Sequence, residues 1–110
     1  MKLKNLEISI EQIKDFCDRW QITEFALFGS VLRDDFRSDS DIDVLVTFKP
    51  NAAWNLLDLV RMQQELEVIA ERSVDLIEKR VIEQSSNWIR RKEILESSQV
   101  IYSQPYDIAR

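Results

Sequence analysis

A single glycine, Gly29, serves all 110 residues. Average usage of roughly 7% would place about eight glycines in a chain of this length. Turns elsewhere must therefore be made with Asp, Asn, Ser or Pro, and position 29 reads as a place whose backbone requirement those residues do not meet. Chance in a small sample is the alternative. The surroundings say what kind of place it is. Residues 23–28, TEFALF, are short, aliphatic and aromatic, and run straight into Gly29-Ser30, the pattern of a buried strand ending in a sharp turn.

Around that turn the chain alternates between helical and extended patterns. Ser9 with Gln12 has the form of a capping box, and Ile10, Ile13, Phe16, Cys17 and Trp20 recur at helical spacing, predicting a helix over 10–20. A short helical turn is expected over 30–35, a polar stretch over 37–40 and a strand over 42–48, stopped by Lys49-Pro50-Asn51. Trp54, Leu57, Val60, Leu66 and Ile69 fall at helix-compatible intervals within 53–72, the longest predicted helix. A brief VDLIE strand over 73–78, a helix over 87–96 and a last strand over 99–102 complete the pattern. No repeat or linker divides the chain, so the expectation is one domain over 1–110, of α/β (α+β) class, with one sheet and covering helices.

Composition removes several kinds of chemistry. There is no histidine, which excludes Ser-His and Cys-His mechanisms and histidine-based zinc sites within the chain. Cys17 is the only cysteine, so no intrachain disulfide forms, and its helical spacing from Ile10 and Ile13 marks it as a small buried hydrophobe. Fifteen Lys and Arg against 20 Asp and Glu leave a net charge of -5, which opposes a broad grip on nucleic acid. The N-terminus lacks the apolar run of a signal peptide and no segment is long enough to cross a bilayer, so the expected location is cytoplasmic, with no membrane partner. Any chemistry must run on carboxylates, hydroxyls and cations.

Asp41 and Asp43 stand two apart at the start of a predicted strand, and the period of two puts both carboxylates on one face, with Ile42, Val44 and Val46 on the other. Magnesium asks for such hard oxygen ligands, leaving its other positions to water and substrate phosphates. Carboxylates that share ions can hold two metals about 3.5–4 Å apart, the spacing that clamps attacking and leaving oxygens in phosphoryl chemistry. Asp75, flanked by Val74 and Leu76, is the natural third member, because a lone charge in an apolar strand is costly unless paired, metal-bound or at an edge. Its other reading is a strand end in water. Gly29-Ser30 offers backbone N–H groups and a hydroxyl to phosphate oxygens. Taken singly, a Gly-Ser pair marks a turn and an Asp-x-Asp marks a solvated loop end.

As a unit, GSVLRDDFRSDSDIDVLV joins a Gly-Ser pair, ten residues and an Asp-x-Asp that opens a strand. This resembles the signature of the DNA polymerase beta-like nucleotidyltransferase superfamily, and the short chain resembles its minimal members. The resemblance extends through VDLI around Asp75 to the RRKEILESSQVIY tail. It implies a single mixed β-sheet with flanking helices, ATP as substrate and magnesium, two ions, as cofactor. It further implies that Gly29, Ser30 and Arg33 contact the triphosphate, that Asp41, Asp43 and Asp75 bind metal, and that Asp75 accepts the proton of the attacking hydroxyl. Leu32 and Asp34 depart from the family's usual alanine and second glycine. Minimal members often act as antitoxins beside a HEPN-domain ribonuclease toxin, and the expected reaction is transfer of AMP to a hydroxyl, a tyrosine, of that partner.

The rival of another class is a non-catalytic nucleotide-binding subunit that inhibits its partner by covering it. Should Asp75 not be the third carboxylate, Asp39 and Glu78 come next. Trp20, Trp54 and Trp88 are expected to be core anchors, Arg90, Arg91 and Lys92 a solvated helix face, and Tyr102 and Tyr106 exposed tyrosines.

Overall fold

The computed structural model describes residues 8–29 and 41–104. In chain order these form α1 (Ile10–Arg19), β1 (Ile22–Phe28), β2 (Ile42–Phe48), α2 (Leu56–Ala70), β3 (Val74–Glu78), α3 (Lys79–Glu83), α4 (Trp88–Ser97) and β4 (Gln99–Ser103). The strands make one mixed sheet in the order β3-β2-β1-β4. β1 runs antiparallel to both neighbours, whereas β2 and β3 are parallel and joined through α2. The expected fold class is the one observed. The helical turn read over 30–35, the polar stretch over 37–40 and Tyr106 lie outside the described residues.

Local chemistry starts and stops the helices. Gln12 donates its backbone N–H to Ser9 Oγ at 3.1 Å while its side-chain oxygen accepts the Ser9 N–H at 3.1 Å, so the capping box at α1 is closed. A second box, Asn55 with Asp58, begins α2 at Leu56, three residues later than the sequence pattern suggests, with bonds of 2.8 and 3.0 Å. Trp54 is thereby left outside the helix, where its indole N–H donates to the Trp20 carbonyl at 2.9 Å and its ring meets Trp20 edge-on at 5.1 Å.

The sheet separates two cores of unequal depth. On one face α1 and α2 bury Ile13, Phe16, Cys17, Met62 and Leu66 against Phe25, Leu27, Ile42, Val44 and Val46. Phe16 meets Phe25 edge-on at 6.4 Å, a geometry that places a ring's positive edge on its neighbour's negative face. On the other face α3 and α4 bury Ile82 and Ile94, with Leu95 packed beside them, over Ala26, Phe28 and Leu45. Alternation along β2 therefore sends Ile42, Val44 and Val46 into the deep core, and Asp43 and Leu45 to the shallow side.

Several sequence expectations are corrected. Leu66 and Ile69 pack inward as expected, whereas Leu57 and Val60 are exposed and Leu59 and Met62 line the inward face in their place, with Ala70 beside them. Both pairs fit helical spacing, so only the packed sheet distinguishes them. Trp88 is 60% exposed and no core anchor, and Ile89 beside it is equally open. The α3 turn was not foreseen, because five residues show no measurable period. Gln21 and Glu71 adopt left-handed backbone, φ 57° and 56°, so two turns do use residues outside the Asp, Asn, Ser and Pro set.

Candidate active site

The end of β1 lies beside the starts of β2 and β3, and Gly29, Asp41, Asp43 and Asp75 of the predicted site stand at this end of the sheet. Gly29 leaves β1 with φ +78°, a conformation that side chains rarely adopt. Space imposes a second demand. A Cβ at position 29 would overlap Oδ2 of Asp43 and approach its Cγ at 3.3 Å, so the glycine lets the backbone pass directly against that carboxylate. The lone glycine of the chain is thus explained by what it touches as well as by how it turns.

Strand register gathers the acids. Asp43 faces Phe28 of β1 on one side and Asp75 of β3 on the other. Neighbouring strands lie about 4.8 Å apart, which sets the scale of the separation between the two aspartate backbones. Ile42 N–H donates to the Ser73 carbonyl at 2.9 Å and anchors this end of the parallel pair. Asp43 and Asp75 share a position along the sheet and the same face, and Asp41, just before β2, follows the same alternation. Asp43 is half-buried, while Asp41 and Asp75 are exposed. Ser30, Arg33 and Asp39 lie outside the described residues. Glu78 stands at the far end of β3, opposite Val46, and by alternation on the other face, so it is separate from this group.

The donor chemistry is all hard oxygen, which suits a magnesium ion carrying phosphate ligands. Asp41, Asp43 and Asp75 are the residues that could hold one. Among the described residues no group of three or more His, Cys, Asp or Glu side chains is drawn together as a metal cluster. The fit is one of donor type and strand register. Cys17 takes no part, since burial pushes its thiol up to about 12 and leaves it uncharged and unreactive at neutral pH.

A cleft of about 340 Å³ opens at the opposite end of the sheet, lined by Thr47, Lys49, Trp54, Glu78 and Lys79 among others. It shares no residue with the acid end. Two residues of α2 that the sequence did not single out, Gln63 and Glu67, hydrogen-bond the backbone of β3 on either side of Asp75. Their i, i+4 spacing is the only trace of this in the sequence, and it is common on any helix surface.

The nucleotidyltransferase domain family matches residues 9–101. A protein adenylyltransferase, MntA, of Thermococcus cleftensis is 33% identical over 66 residues, 60% of this chain and 65% of that relative. The chain thus spans less than two thirds of that protein's length. A solved structure assigned as a minimal nucleotidyltransferase superposes with a TM-score of 0.63 at 30% identity, covering 81% of this chain and 85% of the other. A complex of a tri-AMPylated HEPN toxin with an MNT antitoxin from Shewanella oneidensis gives 0.59 at 18% identity, over 86% of this chain and 69% of the matched one, a likeness of fold. Among the described residues no helix is long and apolar enough to cross a membrane.

Proposed function

The chain belongs to the nucleotidyltransferase domain family, and we propose that it transfers AMP from ATP to a hydroxyl of a partner protein, a tyrosine of a HEPN-domain toxin being the leading acceptor. The observation that carries this reading is the contact of Gly29 with Asp43, with Asp75 in register beyond it. A backbone stripped of its side chain against one carboxylate, next to a second, suits a triphosphate laid over bound cations. The adenylyltransferase relative and the AMPylated toxin in the Shewanella complex support the adenylyl group and the protein acceptor.

The acceptor oxygen attacks the α-phosphorus in line. An O–P bond forms, the bond from the α-phosphorus to the bridging oxygen breaks, and pyrophosphate leaves with that bond's electron pair. Magnesium, when bound to Asp41, Asp43 and Asp75, supplies positive charge that offsets the triphosphate. Asp75, the more exposed of the paired strand acids, takes the hydroxyl proton as the oxygen attacks. The Gly29 N–H, with Ser30 and Arg33, holds the phosphates. A net charge of -5 and the exposed acids fit a protein acceptor better than a free nucleic acid.

Co-expression with a HEPN toxin tests this reading. The toxin's intact mass should rise by one or more AMP residues, and the rise should vanish with the Asp41→Asn, Asp43→Asn double variant. Rescue from toxicity by that variant, with no mass change on the toxin, would instead favour a subunit that inhibits by covering its partner.

A further inference from the structure

Among the described residues β3 is the edge of the sheet, with β2 on one side only. A strand's backbone groups alternate in direction, residue by residue. The bond from Ile42 N–H to the Ser73 carbonyl shows that Ser73 turns towards β2, and Asp75 follows it, so the N–H groups of Val74 and Leu76 turn outward. Such outward donors on an edge are ordinarily left to water or to another strand. Here α2 takes them. Glu67 Oε2 accepts the Val74 N–H at 2.9 Å, and Gln63 Oε1 accepts the Leu76 N–H at a longer 3.4 Å.

Pitch explains the match. Residues four apart on a helix are separated by about 6 Å along its axis, and alternate residues of a strand by about 6.6 Å. Two acceptors at i and i+4 on α2 therefore align with two successive outward donors of β3. The order is reversed, Glu67 on Val74 and Gln63 on Leu76, because the chain turns back between helix and strand. Asp75 sits between the two tethered residues while its own position lies opposite Asp43.

We infer that Glu67, assisted by Gln63, is a positioning residue for Asp75: the tethers from α2 fix the edge strand so that the Asp75 carboxylate stays in register with Asp43. The inference rests on the proposed reading of the acid end. An edge strand held on one side alone is free to fray, and a carboxylate that drifts along its own strand is lost to an ion shared with its neighbour. Groups that orient metal-binding side chains commonly change affinity or activity about 10- to 100-fold when removed.

Two single substitutions separate reach from charge. Glu67→Asp keeps the charge and falls one methylene short of Val74, whereas Glu67→Gln keeps an acceptor oxygen at full reach and loses the charge. In the full chain with ATP, Mn2+ affinity read by electron paramagnetic resonance should fall about tenfold in Glu67→Asp and stay within about twofold of the parent in Glu67→Gln. Transfer at saturating ATP should follow the same order, with KM for ATP nearly constant, and Val74 amide exchange should quicken in Glu67→Asp alone. Gln63→Leu, which removes only the longer bond, should cost about twofold to threefold. Parental Mn2+ affinity in Glu67→Asp, or a loss in Glu67→Gln as deep as in Glu67→Asp, overturns the inference. Asp75→Asn with undiminished Mn2+ affinity would overturn the reading of the acid end itself, so the two failures are told apart.

Discussion

On the α1–α2 side of the sheet, among the described residues, thirteen buried side chains from Ile8 to Val74 form one cluster, whereas the α3–α4 side buries five. The deep side has aromatic pairs, a closed capping box and Met62 and Phe16 with no exposed surface. Its counterpart carries Asp43 and Asp75 and leaves Val81, Trp88 and Ile89 open. The deep core and the candidate site thus lie on opposite faces of the same strands. Ile42 and Asp43, adjacent in sequence, belong to different tasks because alternation points them apart. The side that holds the acids could not be packed as deeply without enclosing carboxylates, which is costly unless they are paired or metal-bound.

Truncations on each side measure what the two cores contribute to stability. Phe16→Ala should cost about 3–5 kcal/mol in denaturant unfolding, because it empties the centre of the deep core. Ile94→Ala on the shallow side should cost about 2 kcal/mol, the low end for such a truncation, since its neighbours are few and partly open to solvent. Equal costs would show the two cores to be energetically alike. Gly29→Ala should destabilise by about 1–2 kcal/mol from its left-handed backbone alone. It should also displace Asp43, so it should weaken ATP binding more than its effect on stability suggests.

The smallest effect concerns an ion pair on the deep side. The Arg19 guanidinium, hydrogen-bonded to Glu65 and aided by the Trp20 indole N–H at 3.0 Å, holds the Glu65 carboxyl below its ordinary value of 4.5. A depressed value in the folded state means that the pair's contribution is complete above the unfolded value and disappears as pH falls through the folded one. Glu65→Gln should therefore lower stability at pH 7 by less than about 1 kcal/mol, as expected for a solvent-screened pair. The difference from the parent should shrink below about pH 4.5. A difference that persists unchanged at pH 3 would assign the effect to packing.

The sequence showed much of this because strong local signals agreed with the fold. The Ser9–Gln12 box, the helical spacing to Cys17, the apolar and acidic alternation of IDVLV and the lone Gly29 each specify structure within a few residues. What stayed hidden depends on distant partners. Leu57 and Val60 satisfy the helical period as well as Leu59 and Met62 do, and only the sheet beneath α2 decides which of them go inward. Trp88 looked like a core anchor because its size argues for burial, yet α4 turns Ile94 to the sheet. That Asp43 fills the space of an absent Cβ at position 29, and that Glu67 reaches Val74, are facts of register between strands and of helix placement. No spacing in one segment carries them.

The acid end of the shallow face, and not the cleft at the opposite pole, is the proposed seat of the nucleotide with its metal. Thermal unfolding of the full chain, with and without ATP and magnesium together, tests this directly through the stabilisation that ligand binding confers. A raised midpoint is expected for the parent and for Lys49→Ala in the opposite cleft, and no rise for the Asp41→Asn, Asp43→Asn double variant. A rise in the double variant equal to the parent's, or its loss only in Lys49→Ala, would contradict it.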